Sequence, residues 1–283
     1  MQLLTLDPVD YLVIGHLTRD LTPQGPRLGG TAAYAARTAQ ALGLRVGVLT
    51  AAAADLDLSP LNGLPLVVQS SSKTTTFENI PLEGGKRRQQ LHARADRLDL
   101  SLIPPSWRRA PIVHLGPVAD ELGPELPPFL SFTLLGLTPQ GWMRTWDEQG
   151  TIRHRRWEQA EALLSQAGAV VISLEDVDGD EEEIERLAHL TPILAVTEGP
   201  AGARLYWHGD QRRFRAPRVN EVDATGAGDI FAAAFFIRLY VTRDPWEAAR
   251  FATRLAAFSV TRPGLEGVPT PQEIEACLTE VLT

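Results

Sequence analysis

The chain has 283 residues, 44% hydrophobic and 22% charged, a composition that fits a folded globular protein and excludes a disordered one. A formal net charge of −8 argues against nucleic acid as a partner, because phosphate backbones are held by excess Lys and Arg. The lone Cys277 excludes an internal disulfide, and no Cys/His cluster has zinc spacing. Residues 1–16 carry no signal-peptide pattern and no run reaches the ~18 apolar residues of a membrane span, so a cytoplasmic chain with no membrane partner is expected.

In chain order, short β-rich runs at Tyr11 to Ile14, Arg45 to Leu49, Ile112 to Leu115, Val170 to Ile172 and Ile193 to Val196 alternate with helical patterns. Such alternation predicts an α/β fold, a doubly wound and mostly parallel sheet flanked by helices. Thr31 to Leu42, closed by Gly43, reads as the first helix. Thr18 to Leu28 and Thr74 to His92 break the alternation, the second around Glu83-Gly84-Gly85, and read as strands leaving the main sheet. Ala203 to Trp207 and Arg212 to Phe214, joined by His208-Gly209-Asp210, read as a hairpin. The last helices are expected over Ala227 to Tyr240 and Pro245 to Val260. Residues 1–283 thus read as one α/β domain, with a small β lid inserted at about 18–28 and 74–92; an ordinary surface hairpin is the alternative.

The chemistry concentrates in Asp223-Ala224-Thr225-Gly226-Ala227-Gly228-Asp229, which runs directly into the apolar stretch Ile230 to Ile237. A helix apolar all round must be buried, so its N-terminus is expected inside the protein, with glycines that let another group approach the backbone. The first-turn N–H groups and the helix dipole, about half a positive charge, then form an anion hole from Gly226 to Asp229. Asp229 would repel a phosphate in direct contact but makes sense beside it, facing an attacking hydroxyl. Capping alone would account for one or two polar residues, not for two glycines and a second Asp.

This segment resembles the second signature of the ribokinase (PfkB) carbohydrate kinases, Asp-Thr/Pro-x-Gly-Ala-Gly-Asp, with Ala224 as a mild departure. Gly29-Gly30 ahead of Thr31 to Ala36 is similar to the family's first signature, where substrate lies against the backbone. The resemblance implies a kinase that uses ATP and Mg2+, with a monovalent cation and a homodimer as further expectations. It makes Asp229 the catalytic base, with Gly226, Ala227 and Gly228 around the transferred phosphate. Thr197-Glu198-Gly199-Pro200-Ala201-Gly202 resembles the turn beside the nucleotide phosphates, so Thr197, Gly199, Gly202 and Thr225 are expected on the donor. Ser259 and Gly264 match the border of the adenine pocket. Asp20 falls where the family binds sugar hydroxyls.

Where many relatives carry Asn-x-x-Glu near magnesium, this chain has Ser173-Leu174-Glu175-Asp176, which leaves Asp176 and Glu175 as metal candidates acting through water. Gln140, Arg144 and Asn79 lie in segments similar to branches that include inositol kinases. An inositol-like polyol or a hexose is therefore the expected acceptor. His114, inside a strand, reads as a satisfied core histidine. No P-loop is present, since Gly84-Gly85-Lys86 lacks its earlier glycine and its Ser/Thr, and no Gly-x-Gly-x-x-Gly follows the first strand. The alternatives are a nucleoside kinase of the same fold and a non-catalytic sugar- or nucleotide-binding relative.

Overall fold

The computed structural model describes residues 6–81 and 87–278, so Glu83-Gly84-Gly85 and Lys86 lie outside the described residues. Its elements are β1 Tyr11–Ile14, β2 Thr18–Leu21, β3 Arg27–Gly29, α1 Thr31–Ala41, β4 Val46–Ala52, β5 Leu66–Ser70, β6 Thr75–Pro81 and β7 Arg87–Ala93. There follow β8 Ile112–Leu115, β9 Leu134–Leu137, β10 Arg144–Trp146, β11 Ile152–His154, α2 Ala160–Leu164, β12 Ala169–Ser173, α3 Glu181–Leu190 and β13 Ile193–Thr197. The last are β14 Ala203–Trp207, β15 Asp210–Phe214, α4 Ala227–Thr242, α5 Pro245–Ser259 and α6 Pro271–Leu278.

Nine strands form the main sheet in the order β15-β14-β13-β12-β9-β8-β1-β4-β5. The seven from β13 to β5 are parallel, and β14 and β15 close the other edge antiparallel. A strand covered on both faces reads as a continuous apolar run, and its alternate side chains enter different cores. Tyr11 and Val13 join the core under α1, α4 and α5, whereas Leu12 and Ile14 join the core built round Trp107, Trp142 and Trp157. The same division splits Ala169 and Val171 from Val170 and Ile172.

Two strands of the main sheet escaped the sequence reading, as did the separate pair β10 and β11. β5 is half exposed at the sheet edge, and β9 is only four residues long. The hairpin turn is also tighter than expected: Asp210 belongs to β15, and His208 and Gly209, both at positive φ, make a two-residue turn whose twist matches the strands.

The two irregular segments do leave the main sheet. They form a separate sheet, β3-β2-β6-β7, in which β2 and β6 run parallel although α1, β4 and β5 lie between them in sequence. Its root is tied down by polar contacts. His16 Nε2 lies 2.9 Å from the Asp96 carbonyl, which can only accept, so Nε2 carries the hydrogen and Nδ1 accepts from Thr75 Oγ1 at 2.7 Å. Fully buried Glu121 accepts from the backbone N–H groups of His16, Val118 and Ala119, binding the loops after β1 and β8 to one carboxylate.

Helix α4 is the main hydrophobic strut, with Ile230 to Ile237 buried throughout. Phe236 is fully buried and meets His114 edge-on, ring centres 5.0 Å apart. Replacing it with Ala removes a large side chain between helix and sheet, so Phe236→Ala is expected to cost about 3 to 5 kcal/mol in urea denaturation. A loss below about 1 kcal/mol would show that α4 is not seated as described.

Candidate active site

In an open α/β sheet the crevice lies at the carboxyl ends of the strands, where the chain order reverses direction. Here that point is between β1, which leads outward to β4 and β5, and β8, which leads the other way. The first turn of α4 faces this crevice. It is less enclosed than the apolar pattern implied, since Gly228 is exposed and full burial begins only at Ile230. Solvent in the crevice can therefore reach first-turn N–H groups that a sealed helix end could not afford to leave unpaired.

Gly226 is the N-cap, at φ 80°, with no side chain capping the helix. A side chain there would meet the Tyr34 ring, 2.3 Å from where its Cβ would stand, so both conformation and space demand glycine. Asp223 shapes the approach: Oδ1 accepts from Thr225 N at 2.9 Å and Oδ2 from Gly264 N at 3.0 Å, tying the motif to the 3-10 turn Gly264–Gly267. Among the described residues the N–H groups of Gly226, Gly228 and Asp229 make no hydrogen bond, whereas Ala227 N–H is turned to the Ala224 carbonyl. Of the four N–H groups expected to form an anion hole, three are thus left unbonded among the described residues, and that of Ala227 is not.

Asp229 sits in that turn with protein packed round its carboxyl, and Thr31 Oγ1 donates to its Oδ1 at 2.6 Å. Enclosure pushes its pKa up to about 6; the charges of Asp176 and Asp20 act in the same sense, against the Thr31 bond and the Arg144 guanidinium. Asp20 is held by Thr18 Oγ1 at 2.7 Å and is also raised to about 6, by burial first, with Arg144 opposing. Tyr34 lies among the same groups, its phenol pushed up by burial and then by Asp20, Asp229 and Asp223. His114 is a core residue, as expected. It is bonded to Tyr11 and Thr138 and kept neutral by burial, with a pKa of about 3.

From the small sheet, Gln89 Nε2 donates to Asn79 Oδ1 at 2.9 Å, and Arg144 Nη2 donates to Gln89 Oε1 at 2.7 Å. Asn79 and Arg144 are therefore joined, as the sequence suggested, through a residue it did not single out. Gln140 goes elsewhere: its Nε2 donates to Asp176 Oδ1 at 2.9 Å, on the side of the expected metal carboxylate. Arg27 was also missed; from β3 it reaches to 4.0 Å from Asp223.

Ser173 in place of Asn has a local explanation. Its hydroxyl accepts from Asp176 N while Asp176 Oδ2 accepts from Ser173 N, a capping box that the Ser-x-x-Asp spacing already spells. With the Gln140 bond to Oδ1, two of the four or so lone-pair positions of Asp176 are used. Among the described residues no three His, Cys, Asp or Glu stand close enough together to hold a metal ion directly. Glu175 is exposed beside it. These residues fit a magnesium ion that keeps its waters and meets Asp176 through them, as Mg2+ commonly does.

The turn Thr197 to Gly202, expected beside the donor phosphates, is closed by Glu198 N–H to the Gly202 carbonyl, with Gly199 and Gly202 at positive φ. Buried Arg204 clamps Glu198 at 2.6 Å. Ser259 Oγ donates to the Ala256 carbonyl at 2.8 Å, so its hydroxyl hydrogen is already used.

Residues 156–272 match the sequence family described as pfkB family carbohydrate kinase. A ribokinase of Bacillus subtilis is 40% identical over 96 residues, 34% of this chain and 33% of that protein. The chain spans about a third of the length of the curated relatives it matches in this way. The fold likeness is nearly complete. A pyrophosphate-dependent kinase in the ribokinase family, complexed with a pyrophosphate analog and myo-inositol, superposes with TM-score 0.75 at 22% identity, covering 94% of this chain and 99% of that one. An E. coli protein in complex with ATP and Mg2+ gives 0.67 at 18% identity, covering 96% and 99%. The fold is ribokinase-like, and the resemblance to the ribokinase (PfkB) family is borne out.

The raised pKa of Asp229 has a consequence for stability. Its folded value, about 6, lies above the ordinary value near 3.9, so enclosure of the charge weakens the fold above pH 6 and costs nothing below about pH 4. Asp229→Asn is expected to stabilise the protein by about 3 kcal/mol at pH 8, a gain that fades as pH falls from 6 to 4 in urea denaturation. An equal effect at pH 4 and pH 8 would contradict the assignment.

Proposed function

We propose that the chain phosphorylates a hydroxyl of a small sugar or polyol with ATP, and that Asp229 is the catalytic base. The observation that carries this reading is the pairing, in one helical turn, of unbonded N–H groups with a carboxylate whose pKa stands near 6. The acceptor oxygen attacks the γ-phosphorus, its proton passes to Asp229, and the bond from phosphorus to the leaving ADP oxygen breaks. The N–H groups of Gly226, Gly228 and Asp229 hold the charge that gathers on the phosphoryl oxygens. Thr225, Thr197, Gly199 and Gly202 border the donor phosphates, and Ser259 and Gly264 the adenine. Bound magnesium would neutralise donor phosphate charge, with Asp176 and, less directly, Glu175 holding its waters.

A general base adds roughly 10²- to 10⁴-fold, so Asp229→Asn is expected to lower turnover at least about 10²-fold. The wild-type rate should fall below pH 6 as the carboxylate protonates, and the variant should lose that limb. Near-normal turnover of the variant with the right substrate would sink the assignment.

For the acceptor, a neutral polyhydroxylated ring such as an inositol or hexose is the reading the field of the site supports. Asp20, Asp176 and Asp229 act together there, opposed at Asp20 and Asp229 by the guanidinium of Arg144, which disfavours an anionic acceptor. Gly29 and Gly30 would lie against the ring and Asp20, Asn79 and Arg144 beside it, with Gln140 acting through Asp176. The sheet β3-β2-β6-β7 would close over it as a lid. ATP and inorganic pyrophosphate should both be offered as donors, because a fold neighbour is pyrophosphate-dependent. Neutral acceptors are expected to win in a matched panel, and the best one with its donor should slow hydrogen exchange across 18–28 and 74–81. A preference of tenfold or more in kcat/KM for phosphorylated acceptors, about 1.4 kcal/mol, would overturn the acceptor reading.

A further inference from the structure

Thr31 opens α1 directly after Gly29 and Gly30, and its hydroxyl reaches Asp229 from 198 positions away in sequence. The side chain is 2% exposed and wedged. Its Cγ2 stands 2.4 Å from where a Cβ on Gly116 would be, so the glycine after β8 makes room for the methyl. A β-branched side chain has few χ1 choices, and with the methyl seated on Gly116 the hydroxyl is left pointing at Asp229. An ionised carboxylate can only accept, so Thr31 is the donor. This is the side-chain hydrogen bond that Asp229 receives among the described residues.

We propose that Thr31 is the positioning residue of the phosphoryl-transfer step: its hydroxyl holds Asp229 Oδ1 so that Oδ2 is presented to the acceptor. The proposal rests on the reading of Asp229 as base. Thr31 also follows the last residue of β3 by two positions, so an acceptor lying on Gly29 and Gly30 bears directly on the residue that aims the base. The other ionisable groups that act on Asp229 are Asp176 after β12, Arg144 at the start of β10 and Asp20 on β2. Tyr34 on α1 and Tyr11 on β1 also face it. Among these groups the Thr31 hydroxyl supplies the directional bond, and the charges supply a field.

The test compares Thr31→Val, which keeps the shape and removes the donor, with Thr31→Ser, which keeps the donor. Thr31→Ala replaces the valine variant if thermal unfolding shows that it does not fold. Thr31→Val is expected to lower kcat roughly tenfold or more while KM for both substrates stays within about twofold, and Thr31→Ser to remain within about threefold of wild type. In the substrate-free protein, the carboxyl carbon of labelled Asp229 should titrate about one unit higher in Thr31→Val and unchanged in Thr31→Ser, because the lost bond favoured the charged form. Unaltered kcat and titration in Thr31→Val, or a serine variant as slow as the valine one, would overturn the proposal. Asp229→Asn run alongside separates the two ideas. If that variant stays active, the base reading fails; if it is inactive while Thr31→Val is normal, only the role of Thr31 fails.

Discussion

The arrangement depends on an apolar helix whose first turn opens into the crevice. Ile230 to Ile237 must be buried, which forces the start of α4 against the sheet at the point where the strand order reverses. That start then presents N–H groups that nothing among the described residues satisfies, together with a carboxylate, Asp229, that the surrounding protein makes costly to ionise. Both are unfavourable for the empty fold and both become favourable with a phosphate on the N–H groups and a proton donor at the carboxylate. Stability is spent where the proposed chemistry takes place.

A second consequence is electrostatic. The chain carries a net charge of −8 and its crevice gathers Asp20, Asp176, Asp223 and Asp229, which would repel a polyphosphate approaching at random. Backbone N–H groups answer this without adding a formal charge, and they do so only along the line of the helix axis. The positive side chains are placed at the margins: Arg144 where the small sheet meets the crevice, and Arg27 on β3, within 4.0 Å of Asp223. An anion is therefore favoured at the mouth of α4 and disfavoured next to Asp20, which is the separation a donor phosphate and a neutral acceptor require.

The small sheet is held at its root by buried polar contacts. Thr75, His16 and Glu121 lock the start of β6 to the loops after β1 and β8 through buried hydrogen bonds. Farther out, the contacts run through partly exposed amides, Asn79 to Gln89 and Gln89 to Arg144. Bonds of the second kind exchange readily with water or with a hydroxylated ligand, whereas the first kind do not.

The sequence by itself determined the alternation of the parallel sheet, the first helix, the two segments that leave the sheet, and the motif from Asp223 to Asp229. Each of these is local: a period of burial, a cap, or a glycine placed before an apolar run, and local pattern is what a linear chain displays. The capping role of Ser173 escaped the sequence reading, although the Ser-x-x-Asp spacing is local and carries it. Tertiary structure alone decided the partners. That Thr31 meets Asp229, that Gln89 joins Asn79 to Arg144, and that Gln140 turns to Asp176 are contacts across 198, 10, 55 and 36 positions of chain. They depend on the order in which strands lie side by side and on which loop ends at the crevice, and no single segment carries that information because hydrogen-bonding side chains have the same chemistry wherever they point.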